Sequence, residues 1–226
     1  MFNPTLTRAL LLAAGCSALV LAACSPAAEA PAPPKADASA PASEPMAMAQ
    51  TPFSAAETGM HEAMTAATGA DAGESWARKM IPHHQGALDM SQVVLRDTRD
   101  ADIRRMAQKT VDMQTRDIAE LRRWLETRVG AAAGAAAPGG GGGAPFAPGE
   151  AKMMNAMMAA AGANTDQMWA NKMIAHHQGA LDMSQVVLRE SQDAGIRRMA
   201  QKTIEVQTAD IGELRAWLQA NPADAG

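Results

Sequence analysis

The stretch Trp76-Ala-Arg-Lys-Met-Ile-Pro-His-His-Gln-Gly-Ala-Leu-Asp-Met-Ser-Gln-Val-Val-Leu95 returns 93 residues later as Trp169-Ala-Asn-Lys-Met-Ile-Ala-His-His-Gln-Gly-Ala-Leu-Asp-Met-Ser-Gln-Val-Val-Leu188. At about 100° per residue, Trp76, Met80, His83, Ala87, Met90 and Val94 fall on one helical face. His84, Leu88, Ser91 and Leu95 flank it. The match continues without a gap to Leu125 and Leu218, with 38 identities in 50 positions. One helical unit has therefore been duplicated.

Outward from this stretch, a second apolar stripe runs through Ile103, Met106, Thr110, Met113, Gln114, Asp117, Ile118, Leu121, Trp124 and Leu125. A break near Thr98 joins the two long helices as an antiparallel hairpin. Each copy reads as a short helix followed by that hairpin. The expected spans are 54–67, 73–96 and 100–128 in copy one, and 150–161, 165–190 and 193–219 in copy two. A lone hairpin cannot bury such stripes, whereas two hairpins make a four-helix bundle. The expected fold is all-α: two repeated helical hairpins, each with a short extra N-terminal helix. Repeat one is placed at 51–129, repeat two at 150–220, and a tail at 221–226. The Gly/Ala/Pro linker at 130–149 is long enough to pair the hairpins within one chain. Pairing between chains, as a homodimer, remains the alternative.

The N-terminus reads as an export signal over residues 1–23. Arg8 supplies the positive charge, and the apolar run from Ala9 to Ala23 is too short to span a membrane. It ends Leu21-Ala22-Ala23-Cys24, which resembles the lipobox of bacterial lipoproteins. The expectation is lipidation at Cys24, a disordered Ala/Pro-rich tether over 24–50, and a periplasm-facing protein held at the envelope by its lipid. Ser25 after the cysteine points to the outer membrane. Cleavage before Cys24 removes Cys16, so any metal site must draw on His, Met, carboxylate or amide groups. Net charge is −4, which leaves no basic footprint for nucleic acid.

The stripes carry polar groups that a plain core would not choose. Met80, His83, His84 and Met90 recur as Met173, His176, His177 and Met183, and Gln114 and Asp117 recur as Gln207 and Asp210. Burying such groups costs several kcal/mol unless they are partnered. Met80 and His83 project together at i,i+3. Adjacent His83 and His84 diverge by about 100°, so they share an ion lying between them or face two sites. Thioether with imidazole selects Cu(I), or Ag(I) as its mimic, over Mg, Ca or Mn. Zinc would bring Cys or His with carboxylate, and HExxH is absent. Ferritin-type di-iron sites need Glu-x-x-His, and Met80 and Met173 stand where that Glu would be.

Gln114 and Asp117 either ligate or orient the imidazoles. Met106 and Met199 read as core filler. The four Trp residues read as packing near the bundle ends. Met60, His61 and Met64 on the first short helix, like Met153, Met154, Met157 and Met158 on the second, suit either weak Cu(I) capture or packing, and Met46 and Met48 lie in the tether. Two other classes stay open: an iron- or zinc-dependent enzyme, and a metal-free envelope interaction module.

These residues resemble the bacterial family known as domain of unknown function 305, which includes CopM-type periplasmic copper-binding proteins. The resemblance rests on Met-Ile-x-His-His-Gln-Gly-Ala, on Met90 and Met183, and on the later Gln114-Thr115-Arg116-Asp117-Ile118 and Trp124-Leu125 elements. It implies a ferritin-like helical bundle and a role in copper binding, tolerance or delivery without turnover, with copper-handling proteins as partners. It also implies Met80, His83, His84, Met90, Met173, His176, His177 and Met183 as the ligand-bearing positions. The family usually has Glu where Asp117 and Asp210 stand, and often Met at Leu121 and Leu214. Copy two has Val206 in place of Met113. Independent sites, one in each copy, are the first expectation, with one shared site at the bundle interface as the alternative.

Overall fold

The computed structural model describes residues 50–132 and 143–222. The signal segment, Cys24, the tether methionines and residues 133–142 of the linker lie outside the described residues. Six α-helices follow in order: α1 (Ser54–Ala66), α2 (Ala72–Asp97), α3 (Ala101–Ala132), α4 (Ala147–Ala159), α5 (Thr165–Glu190) and α6 (Ala194–Ala220). A 3-10 turn, Ala144–Phe146, precedes α4, and no strand occurs among the described residues.

Local chemistry sets the helix ends. Asp71 caps α2 by accepting the Glu74 N–H at 2.9 Å, and Glu74 reaches back to the Ala70 N–H at 3.1 Å. Asn164 and Gln167 repeat this at the start of α5, both at 2.9 Å. These are capping boxes, each satisfying two orphan donors at once. Thr98 and Ser191 adopt extended backbone and end the first helix of each hairpin. Asp100 and Asp193 then cap the next by accepting from Ile103 and Ile196.

Helix α2 packs along α3, and α5 along α6. The hairpins meet through α2 and α5, while α1 lies on α2 and α4 on α5. The predicted stripe of α2 is buried from Trp76 through Met80, His83, Ala87 and Met90 to Val94. Pro82 lies inside α2, where it removes the N–H that would bond the Arg78 carbonyl. Its counterpart is Ala175.

Several contacts between the repeats come in pairs 93 residues apart, the mark of an isologous interface. Lys79 binds Glu150 at 2.8 Å, and Lys172 binds Glu57 at 2.6 Å. Both lysines are buried, and each also donates to the last turn of a short helix, at Met64 O and Met157 O. A cation there answers the carbonyl end of the helix dipole. Trp124 Nε1 donates to Asp193, and Trp217 Nε1 to Asp100, each at 3.2 Å. These two Trp residues are thus more than end packing, because each ties its hairpin to the loop of the other. The hairpins pair within the one chain.

Two boundaries differ from the sequence reading. Helix α3 continues to Ala132, since alanine favours the helix as much as a linker. The folded part of copy two begins before Glu150: Phe146 is fully buried, and Pro148 pre-sets the first turn of α4. The methionines of the short helices differ in exposure. Met60, Met64, Met153 and Met157 are buried, while His61 and Met158 are exposed.

Candidate metal centre

The stripes bring His83 and His176 against each other between the hairpins, their ring planes tilted by 35°. Their ring centroids lie 3.7 Å apart. His83 Nε2 donates to the His176 carbonyl at 3.2 Å, and His176 Nε2 donates to the His83 carbonyl at 2.9 Å. A carbonyl only accepts, so both Nε2 atoms carry the proton and both Nδ1 atoms keep a bare lone pair. Each Nδ1 is buried without a hydrogen-bond partner. Met80, Met90, Met173 and Met183 on the same two helices are at most 1% exposed.

Burial drives the pKa of His83 and His176 well below the ordinary imidazole value, helped by the neighbouring histidines. Burial also lowers His84 and His177 to about 4, although Asp117 and Asp210 respectively oppose it. All four rings are therefore neutral near pH 7, the state a metal ligand needs.

His84 and His177 turn away from the axis. The His83 and His84 rings meet edge-on with centroids 5.8 Å apart, and His176 and His177 do so at 5.7 Å. His84 lines a small side pocket with Trp76, Asp117, Met199 and Lys202. His177 lines the matching pocket with Trp169, Asp210, Met106 and Lys109. Gln114 stands beside His84 and Gln207 beside His177, and both amide oxygens are buried without partners. Asp117 is held by Lys202, and Asp210 by Lys109, each at 2.7 Å.

The geometry separates the two histidines of each copy. The adjacent histidines serve two places, and both places are built from both repeats. Met106 and Met199, read as core filler, line the side pockets, as do Trp76 and Trp169. Their spacing marks a buried face but not the opposite repeat that completes it. Among the described residues, no three His, Cys, Asp or Glu side chains converge where one ion could be held.

Comparison with solved structures finds the same fold. CopM in its Cu(I)-bound form aligns at 22% identity with a TM-score of 0.50, over 66% of this chain and 96% of that one. CopM has also been solved in apo, Ag-bound and Cu(II)-bound forms. The putative secreted protein DUF305 from Streptomyces coelicolor aligns at 23% identity with a TM-score of 0.55, over 70% of this chain and 96% of that one. No curated protein matches the chain. Residues 23–125 and 74–218 each match the family described as domain of unknown function (DUF305). With these overlapping matches spanning both repeats and their helices forming one bundle, the chain belongs to the DUF305 family.

Proposed function

We propose that this protein binds a soft monovalent ion, Cu(I) or Ag(I), between its two repeats, and serves to sequester or deliver copper without turnover. The observation that carries the reading is the close, tilted His83–His176 pair. Two neutral imidazoles present buried, unpartnered Nδ1 atoms, and the helices that carry them bury four thioethers. An unpartnered buried acceptor is costly, and a soft cation is the partner this donor set prefers. CopM, which shares the fold, has been solved with Cu(I), Cu(II) and Ag, and this supports copper as the metal. Lipidation at Cys24, read from the sequence, would hold the bundle at the envelope facing the periplasm, on the outer membrane.

The test is competitive titration of the purified chain with Cu(I), Ag(I), Zn(II) and Fe(II), counting bound metal per chain. Selective uptake of Cu(I) and Ag(I), with loss of at least one ion in His83→Ala/His176→Ala, is the expected result. A preference for Zn(II) or Fe(II), or no uptake of any ion, overturns the reading.

A further inference from the structure

Each side pocket is buried at its floor and charged at its rim. In the first, His84, Trp76 and Leu121 are at most 2% exposed, whereas Asp117, Glu120 and Lys202 reach solvent. In the second, His177, Trp169 and Leu214 are buried, and Asp210, Glu213 and Lys109 reach solvent. The rim residues come from two helices, and their ion pairs tie α3 to α6 across each mouth. Lys202 of α6 binds Asp117 at 2.7 Å and Glu120 at 3.5 Å, both on α3. Lys109 of α3 binds Asp210 and Glu213 of α6, both at 2.7 Å. The second mouth carries one cross-helix pair more: Arg105 of α3 binds Glu213 at 3.1 Å, and Asp102, one turn back, holds Arg105 at 3.4 Å. The residue matching Asp102 in copy two is Gly195. Arg198, the twin of Arg105, therefore lacks that guiding carboxylate, and among the described residues it forms no pair with Glu120.

We propose that these ion pairs are latches governing access to the two pockets, and that the His84 pocket opens more readily than the His177 pocket. Each pocket has a volume of about 10 Å³, so a solute larger than water reaches the imidazole only when α3 and α6 part at the rim. The rest of the interface does not have to move with them. Lys79–Glu150 and Lys172–Glu57 join the repeats elsewhere, as do the Trp124–Asp193 and Trp217–Asp100 ties. Ion pairs this exposed contribute little each, so a rim held by them opens without unfolding the bundle, and one additional pair changes the opening by only a few fold. Lys202 is 47% exposed and Lys109 33%, so solvent and salt weaken the first latch more than the second. The inference concerns access alone and stands apart from the soft-metal reading.

Diethyl pyrocarbonate, which acylates neutral imidazole and is larger than either pocket, tests this on the full metal-free chain. The five histidines supply the controls. His61 is exposed and reports the reagent, while His83 and His176 are fully buried between the hairpins and report opening of the whole bundle. Rates are read residue by residue by mass spectrometry of peptides. His84 and His177 are expected to react more slowly than His61 and faster than His83 and His176, with His84 about two- to fivefold ahead of His177. Raising the salt from about 0.01 M to about 1 M is expected to speed both and to narrow the gap, because screening loosens the latches. Glu213→Gln removes a charged partner from Lys109 and from Arg105 together. It is expected to bring His177 level with His84 and to leave His84 unchanged. If His84 and His177 react only as fast as His83 and His176, the pockets open only with the bundle and the proposal falls. It falls equally if the parent modifies His84 and His177 at one rate, or if Glu213→Gln leaves His177 unmoved. Neither failure bears on the metal titration above.

Discussion

At the scale of the residue, the two histidines of each His-His pair do different work because of what lies opposite them. The Nε2 protons of His83 and His176 are committed to each other's carbonyls, which fixes the tautomer and aims the lone pairs. The same burial makes the metal-free fold acid-sensitive. In the folded chain His84 and His177 stay neutral down to about pH 4, whereas in the unfolded chain they protonate near pH 6.5. The unfolded state therefore binds more protons between those values, so stability is complete above pH 6.5 and is lost as pH falls towards 4. Each of these two rings contributes on the order of 3 kcal/mol across that window, and His83 and His176 act in the same direction. Urea melts of the metal-free protein at pH 7.5 and pH 5 are expected to show a much lower midpoint in acid. Equal midpoints would mean that the rings are hydrated.

At the scale of the element, α1 and α4 are held by devices that can be removed one at a time. Gly86 lets Met60 lie against α2: a Cβ there would sit 2.6 Å from Met60 Sδ and 2.9 Å from its Cβ. Gly86→Ala is expected to lose about 1–3 kcal/mol to overpacking, less the helix propensity it gains, with faster amide exchange across α1. Lys172 joins Glu57 of α1 to the last turn of α4. Lys172→Met leaves Glu57 buried and uncompensated, so a loss of about 3–5 kcal/mol is expected. Adding Glu57→Gln should recover part of it in the same denaturant assay. These cross-repeat ties also mark the limit of what was legible in the sequence. The ends of α2 and α5 could be read to within a residue because Asp71–Glu74 and Asn164–Gln167 write the cap locally. The buried faces could be read because a period of 3.6 is local too. What sits across from a face is not local. Nothing in the spacing says that His83 meets His176, that Met199 reaches the His84 pocket, or that Trp124 bonds Asp193. Those partners appear only once the second hairpin is turned onto the first.

At the scale of the whole molecule, the fold is a two-fold dimer carried on one chain. Three contacts that hold the hairpins together have twins: Lys79–Glu150 with Lys172–Glu57, Trp124–Asp193 with Trp217–Asp100, and Lys109–Asp210 with Lys202–Asp117. Both halves of every such contact are therefore present within repeat one. Lys79 and Glu57, Trp124 and Asp100, Lys109 and Asp117, and His83 against its own copy could re-form the interface between two identical chains. A single repeat leaves the stripes of α2 and α3 without a cover, which a two-helix hairpin cannot supply for itself. Residues 50–132 expressed alone are thus expected to form a two-fold homodimer whose helical content falls on dilution as the dimer dissociates, because folding and association are linked. Sedimentation over a hundredfold concentration range checks this directly. Adding Lys109→Glu should put like charges against Asp117 and Glu120 of the second copy and weaken the dimer, and Asp117→Lys in the same fragment should restore it by re-pairing across the axis. A fragment that stays monomeric and folded at all concentrations would show that each hairpin buries its own stripe, against the packing seen here. A dimer unaffected by Lys109→Glu would show association through some other face.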